Sequence, residues 1–399
     1  MALALALNGF FLYLGGLRVI GRAPHTATTG VWYGLMGLLC LGGVWLERET
    51  LLRRLRRRAL PETTYVVAGV ALALWFLLNV LLLSHGSLSR TLAAQLVLWT
   101  LPAALLALAL PRESMPWLAA GLAALGCAYI VIEAGALVHH LHASRFSPIA
   151  HLDPISAAQF PAVGAIALLA LTPRTVWEEI GRAVALPLLC AGAILPGSRG
   201  PLIALGGGAL AAGALLPRRT ALLLLPAVVA GIALGYGGSR EIGSSDYLTS
   251  TNVPISTFHI RREWWSAAAE AIPDAPVFGH GVAMFVDNTP EAKQMGVAGT
   301  RTYPHNSPLE SLYSLGALGA LPYIALIGSG ITALVLLVRR RARRPIVLAT
   351  GLYVFAFASA NLSGEIGADA TLWAAGALAV GLYADSRGGS RTSAVESAY

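Results

Sequence analysis

Three short clusters in this 399-residue chain combine residue types able to hold an anion and move a proton. The first is Gly197-Ser198-Arg199-Gly200-Pro201, between two apolar runs. Pro201 suits the first position of a helix, with Gly200 or Ser198 near its cap. Arg199 then stands beside unpaired N–H groups and the positive end of a helix dipole, a setting that favours anions. The second cluster, His259-Ile260-Arg261-Arg262-Glu263-Trp264-Trp265, opens a helix predicted to run to about Ile272. At helical spacing Arg261, Trp265, Ala268 and Ile272 share one face, and Arg262, Ser266 and Glu270 another. The third, Tyr303-Pro304-His305-Asn306-Ser307-Pro308-Leu309-Glu310, leads into an apolar run. Ser307 and Glu310 have capping-box spacing and Pro308 takes the first helical position, so His305 sits just outside a helix start. The dipole there favours neutral imidazole, the form a general base requires.

Each cluster also has a plain structural reading. Arg199 serves equally as a flanking arginine reaching for headgroups, and the Arg261–Ile272 stretch as an interfacial amphipathic helix. His305 serves equally as a hydrogen-bonded structural histidine. Together, however, two arginines and a neutral histidine describe a chemistry. Arginine forms bidentate bonds to phosphate oxygens and keeps its charge, so a pair can hold a diphosphate without metal. Stabilising charge on a departing phosphate is a large catalytic effect, and a nearby histidine can take the proton of an attacking hydroxyl. A lipid-diphosphate sugar fits such a surface.

The elements that must position these residues are membrane helices. The chain is 56% hydrophobic and only 12% charged, against roughly 25% for a soluble domain. That balance excludes disorder and an ordinary cytosolic enzyme. Apolar stretches near the roughly 20 residues needed to span a bilayer recur twelve times: about 3–20, 30–46, 63–83, 91–110, 116–138, 156–171, 183–197, 201–216, 220–237, 308–338, 345–361 and 370–384. The fold class is therefore an all-α polytopic membrane protein of about twelve transmembrane helices. Its parts are spans one to nine in 1–237, a large, partly helical external loop at 238–307, spans ten to twelve in 308–385, and a disordered tail at 386–399. The first span lacks the features of a cleaved signal peptide.

Arginine sets the orientation. Of 28 basic residues 27 are arginine, with Lys293 the exception, and the formal net charge is +8. Placing the runs 53–58 and 339–344 in the cytoplasm, with Arg218 and Arg219, puts 18 basic residues inside and nine outside, with Arg18 left within span one. By the positive-inside rule both termini are then cytoplasmic, and the three clusters face the periplasm. These runs read as topology signals beside anionic membrane lipid, so nucleic acid is not expected as a partner.

Other candidates carry less. His139, His140, His142, His151 and Asp153 match no metal-ligand spacing. Cys40, Cys127 and Cys190 lie inside apolar runs and read as core filler. Neither metal nor cofactor is expected. Glu133 is a carboxylate well inside a span, able to bond a neighbouring helix, pair with an arginine or reach water. Gly279 and Gly281 read as a tight turn, since no strand precedes them.

The order and spacing of these motifs resemble the bacterial O-antigen ligase and O-antigen polymerase superfamily. The resemblance rests on Ser198-Arg199-Gly200, on Arg261 four residues before Trp265, and on the segment Asp274–Gly281. It continues with His305-Asn306 followed by Leu309, Gly316 and Gly319. It covers roughly 195–325 and implies a metal-independent, inverting glycosyltransferase of the GT-C type in the bacterial inner membrane. Such an enzyme moves a glycan from undecaprenyl diphosphate to a hydroxyl, here of the lipid A-core oligosaccharide. A polymerase joining lipid-linked repeat units is the sister reading, and a protein-directed oligosaccharyltransferase is a weaker one. From a different class comes a lipid-linked glycan transporter. The resemblance gives His305 as the catalytic base, Arg199 and Arg261 as diphosphate ligands with Arg262 an adjacent candidate, and Ser198, Trp265, Tyr303 and Asn306 in support.

Overall fold

The computed structural model describes residues 27–56, 60–84, 86–139, 154–241, 257–288, 303–340, 345–363 and 370–396. They form a helical bundle, and no strand occurs among them. In chain order the helices are α1 (Ala27–Leu46), α2 (Arg48–Arg56), α3 (Leu60–Leu82), α4 (Ser87–Gln95), α5 (Leu101–Ala109), α6 (Met115–His139), α7 (Pro154–Ala170) and α8 (Val176–Ile194). They continue as α9 (Arg199–Gly213), α10 (Arg218–Glu241), α11 (Thr257–Ala271), α12 (Phe285–Asn288), α13 (Ser307–Arg339), α14 (Pro345–Ser363) and α15 (Ala370–Glu396). A π-turn at Leu96–Thr100 joins α4 to α5 within one predicted span.

Helices overlie eleven of the twelve predicted apolar segments, and the segment near 3–20 lies outside the described residues. Six are long and apolar enough to cross a membrane: Leu60–Leu82, Leu88–Ala109, Arg112–Gly135, Arg218–Glu241, Ser307–Arg339 and Pro345–Leu362. Lipid-facing leucines such as Leu81, Leu210 and Leu321 stay exposed, while the packed centre is lined by alanine and glycine as much as by leucine. Small residues let helix backbones approach closely. Gly126 of α6 against Gly164 of α7 is one such contact, and Gly231 of α10 against Pro187 of α8 is another.

Two boundaries differ from the sequence reading. Helix α10 runs through Ser239 to Glu241 instead of yielding to a loop at 238. Helix α15 continues to Glu396, through most of the stretch expected to be a disordered tail. Propagation adds a hydrogen bond for each residue fixed, so a helix packed through Tyr383 and Ala384 carries on into polar sequence.

Helices α9 and α14 pack closely and run antiparallel. A Cβ at Gly208 would meet the carbonyl of Gly351 and Cβ of Phe355, and one at Gly351 would meet Ala212. Residue numbers thus rise along one helix as they fall along the other. The start of α9 therefore lies at the same end of the bundle as the finish of α14. The Ser307 hydroxyl donates to the Ala360 carbonyl (3.2 Å) and the Asn306 amide to that of Asn361 (3.3 Å), fixing the start of α13 at that end too.

A break in α13 holds the external segment. At Gly316 the backbone leaves helical geometry (φ 61°, ψ −166°), freeing carbonyls and N–H groups inside an apolar bundle. Each must find a protein partner there. The turn 275–281 supplies most of them. His280 N–H donates to the Tyr313 carbonyl (2.9 Å) and Gly281 N–H to that of Ser314 (3.1 Å). In return Ala317 and Leu318 N–H donate to the Pro276 and Val277 carbonyls. From α3, Trp75 Nε1 donates to the Leu315 carbonyl (2.8 Å). Asn79, wholly buried, donates to the Phe278 and Ser314 carbonyls and accepts from Val282 N–H.

Glycine is required where turn and helix meet. Gly279 and Gly316 have φ of 77° and 61°, and a Cβ on either would lie within 2.4 Å of the opposing backbone. Only glycine meets both demands without strain.

Candidate active site

Asn306, with extended backbone (φ −150°), is the N-cap of α13, and its side-chain oxygen accepts from Leu309 N–H (2.9 Å). The expected capping box, Ser307 to Glu310, is thus displaced by one residue. Ser307 is the first helical residue, and its buried hydroxyl is committed to the Ala360 carbonyl instead. Asparagine and serine cap about equally well, so the tertiary bond decides between them.

His305 precedes this cap with a left-handed backbone (φ 55°), unusual for a residue other than glycine. Aromatic neighbours and the capped helix hold it so. Its ring stacks on Trp264 of α11 (centroids 5.4 Å apart, planes 16° from parallel) and meets Tyr303 at 4.0 Å. Its Nδ1 is buried.

Trp265 reaches the same strand of chain by another route, donating from Nε1 to the Pro304 carbonyl (2.7 Å). Helix α11 is seated on α13 through Ala268, Phe285 and Tyr313, flanked by Trp264, Ala271, Ile272 and Leu309. His280 stacks on Tyr313 (4.6 Å), and its Nε2 lies 2.7 Å from the Ala271 carbonyl, tying the glycine turn to the end of α11.

Of the adjacent arginines, Arg261 is half-buried and Arg262 exposed, as the helix-face division anticipates. Arg199 is half-buried in the first turn of α9. Before it Gly197 turns the chain (φ 73°), and Ser198 is the extended N-cap, buried and making no side-chain cap bond. Pro201 falls in the first turn, where its missing N–H costs no helical bond. Gly208 is nine residues into α9 and Phe355 six before Asn361, so Arg199 and Asn361 lie about 14 Å and 9 Å beyond that crossing in one direction. Arg199, Arg261 and His305 are thereby gathered at one end of the bundle.

Sequence reasoning missed Trp264, which stacks on the histidine, and the α3 pair Trp75 and Asn79. Asn79 had a signal, being a lone amide inside an apolar run. Elsewhere, Glu133 is buried against Gly192, and neither carboxylate oxygen has a hydrogen-bond partner among the described residues, so it does not reach water. Residues 140–153, with most of the histidine cluster, lie outside the described residues, and so does the His139 side chain. Among the described residues no group of three or more His, Cys, Asp or Glu could hold a metal ion.

The segment carrying all three features, residues 183–324, matches the family model described as O-antigen ligase. No curated protein matches the chain. With six apolar helices of spanning length among the described residues, the chain is a multi-pass membrane protein. The match runs from within α8 through Arg199, Arg261 and the Gly279–Gly316 junction, and ends inside α13.

Proposed function

We propose that the chain is an O-antigen ligase of the bacterial inner membrane, with about twelve spans, both termini cytoplasmic and the His305 end of the bundle facing the periplasm. It transfers polysaccharide from undecaprenyl diphosphate to a hydroxyl of the lipid A-core oligosaccharide. The observation that carries this reading is the setting of His305, fixed in a left-handed conformation between a helix cap and two aromatic rings inside the matched segment.

Nε2 of His305 takes the proton of the acceptor hydroxyl as its oxygen attacks the anomeric carbon. The bond from that carbon to the diphosphate oxygen breaks, and undecaprenyl diphosphate leaves with the electron pair. Arg199 and Arg261 hold the diphosphate and stabilise the charge that grows on it, so the step needs no metal and inverts the anomeric centre. The lipid tail lies among the helices, with the phosphates at the interface.

The test is transfer by the purified full-length chain, given a lipid-diphosphate glycan and lipid A-core. Joined product and free undecaprenyl diphosphate are expected with a chelator present. Elongation of lipid-linked chains without the lipid A acceptor would make the protein a polymerase. Movement of intact donor across a vesicle membrane without transfer would make it a transporter.

A further inference from the structure

At the opposite end of the bundle, a cavity of about 790 Å³ opens between the start of α6, the α7–α8 turn and the start of α14. Pro345, at its rim, lies 16 residues before Asn361, roughly 24 Å along α14 from the candidate active site. Three arginines line it: Arg112, Arg174 and Arg182. Arg182 is 8% exposed, gives one N–H to the Leu171 carbonyl (2.8 Å), and keeps a buried Nε with no hydrogen-bond partner among the described residues. A guanidinium buried to this degree at a cavity wall calls for negative charge there, because a buried cation is stable only when it is paired.

Two acidic residues also line the cavity. Glu113 is exposed, and Glu178 is engaged locally, accepting from Arg174 N–H (2.6 Å) at the N-terminus of α8. The remaining wall is apolar, from Leu168 to Leu348. Beside it Trp117 and Trp177 are 72% and 80% exposed, the placing of interfacial tryptophans at headgroup level. An arginine floor, an apolar wall and an aromatic rim match a phosphate that carries hydrocarbon.

We propose that this cavity binds the headgroup of an anionic phospholipid, with Arg182 and the rim arginines on the phosphate and the acyl chains along the apolar wall. With the arginine runs at the cytoplasmic face, the occupant comes from the cytoplasmic leaflet, where anionic lipid meets basic pockets between helices. The site is separate from the transfer site, and its test reads binding, not transfer.

The experiment is native mass spectrometry of the full-length chain in detergent, titrated with phosphatidylglycerol, phosphatidylcholine or glycerol 3-phosphate. Wild type is expected to retain phosphatidylglycerol and to release the other two. Arg182→Gln should lose that retained lipid, and Arg112→Gln/Arg174→Gln, at exposed positions that leave folding intact, should weaken it about fivefold for each arginine. Equal retention by wild type and both variants would overturn the proposal. So would equal retention of phosphatidylcholine, and so would displacement of the lipid by glycerol 3-phosphate, which would mark a site for free phosphates.

Discussion

Arg54, at one end of the bundle, and the candidate-site arginines at the other have different surroundings. At the end away from His305, Arg54 of α2 is 2% exposed, and its guanidinium makes four hydrogen bonds. It forks onto both carboxylate oxygens of Asp385 in α15 and donates to the carbonyls of Leu108, in the last turn of α5, and Leu110, just past it. Every bond joins separate helices, so Arg54 is a clamp. At the other end Arg199 stands half-buried in the first turn of α9, where backbone N–H groups already draw anions, and Arg261 is half-buried at the fifth residue of α11. Composition treats these arginines alike. What separates them is position: Arg54 ties helices together in the packed interior, whereas Arg199 and Arg261 lie half-buried beside the His305 end.

Breaking each end should therefore fail in a different way. The largest expected effect is on turnover: His305→Ala should lower transfer by about 10²–10⁴-fold, the usual contribution of a general base, while donor binding stays near wild type. Arg54→Met should act on stability instead. It strands two carbonyls and the Asp385 carboxylate, which is 27% exposed, so the loss is about 1–3 kcal/mol. Thermal unfolding of the detergent-solubilised protein would register the loss, with turnover per folded molecule unchanged.

Gly279→Ala tests the seam between the site and its support. Its Cβ would strike the Ser314 backbone at a left-handed position, costing about 1–3 kcal/mol and undocking the turn. Limited proteolysis should then cut within 275–288, where wild type resists. Arg261→Ala should raise the donor KM by roughly 10–100-fold, the worth of a charge-assisted bond. Arg262→Ala should change it by less than about threefold, because an exposed cation contributes little. Trp265→Phe removes one bond to the Pro304 carbonyl and should cost about 1 kcal/mol of transition-state stabilisation, read as a modest fall in kcat/KM.

How much of this could be read beforehand follows from where each signal resides. Helix positions were legible because an apolar run of sufficient length has few alternatives in a membrane. Helix starts were legible from Pro201, Pro308 and their polar neighbours, which act within a turn. The division of Arg261 from Arg262 was also a local matter of helix phase. The cap of α13 was misplaced by one residue because the deciding bond, Ser307 to Ala360, spans 53 positions. The break at Gly316 was hidden for a similar reason. A glycine in an apolar run reads as a packing contact, and only the docked 275–281 turn, with Asn79 some 200 residues away in sequence, makes an unwound backbone affordable. The stacking of Trp264 on His305 depends on how α11 sits on α13, which helix phase alone does not give. Local rules thus picked out the candidate groups, and distant contacts supply the means of holding them.

The central claim, that chemistry sits at the His305 end while the Arg54 end is structural, meets its most direct test in one paired measurement. His305→Ala and Arg54→Met would be purified in parallel, and transfer per folded molecule and melting temperature recorded for each. The account predicts a crossing: His305→Ala melts like wild type and transfers almost nothing, whereas Arg54→Met melts lower and, where folded, transfers normally. Normal turnover by His305→Ala would contradict it.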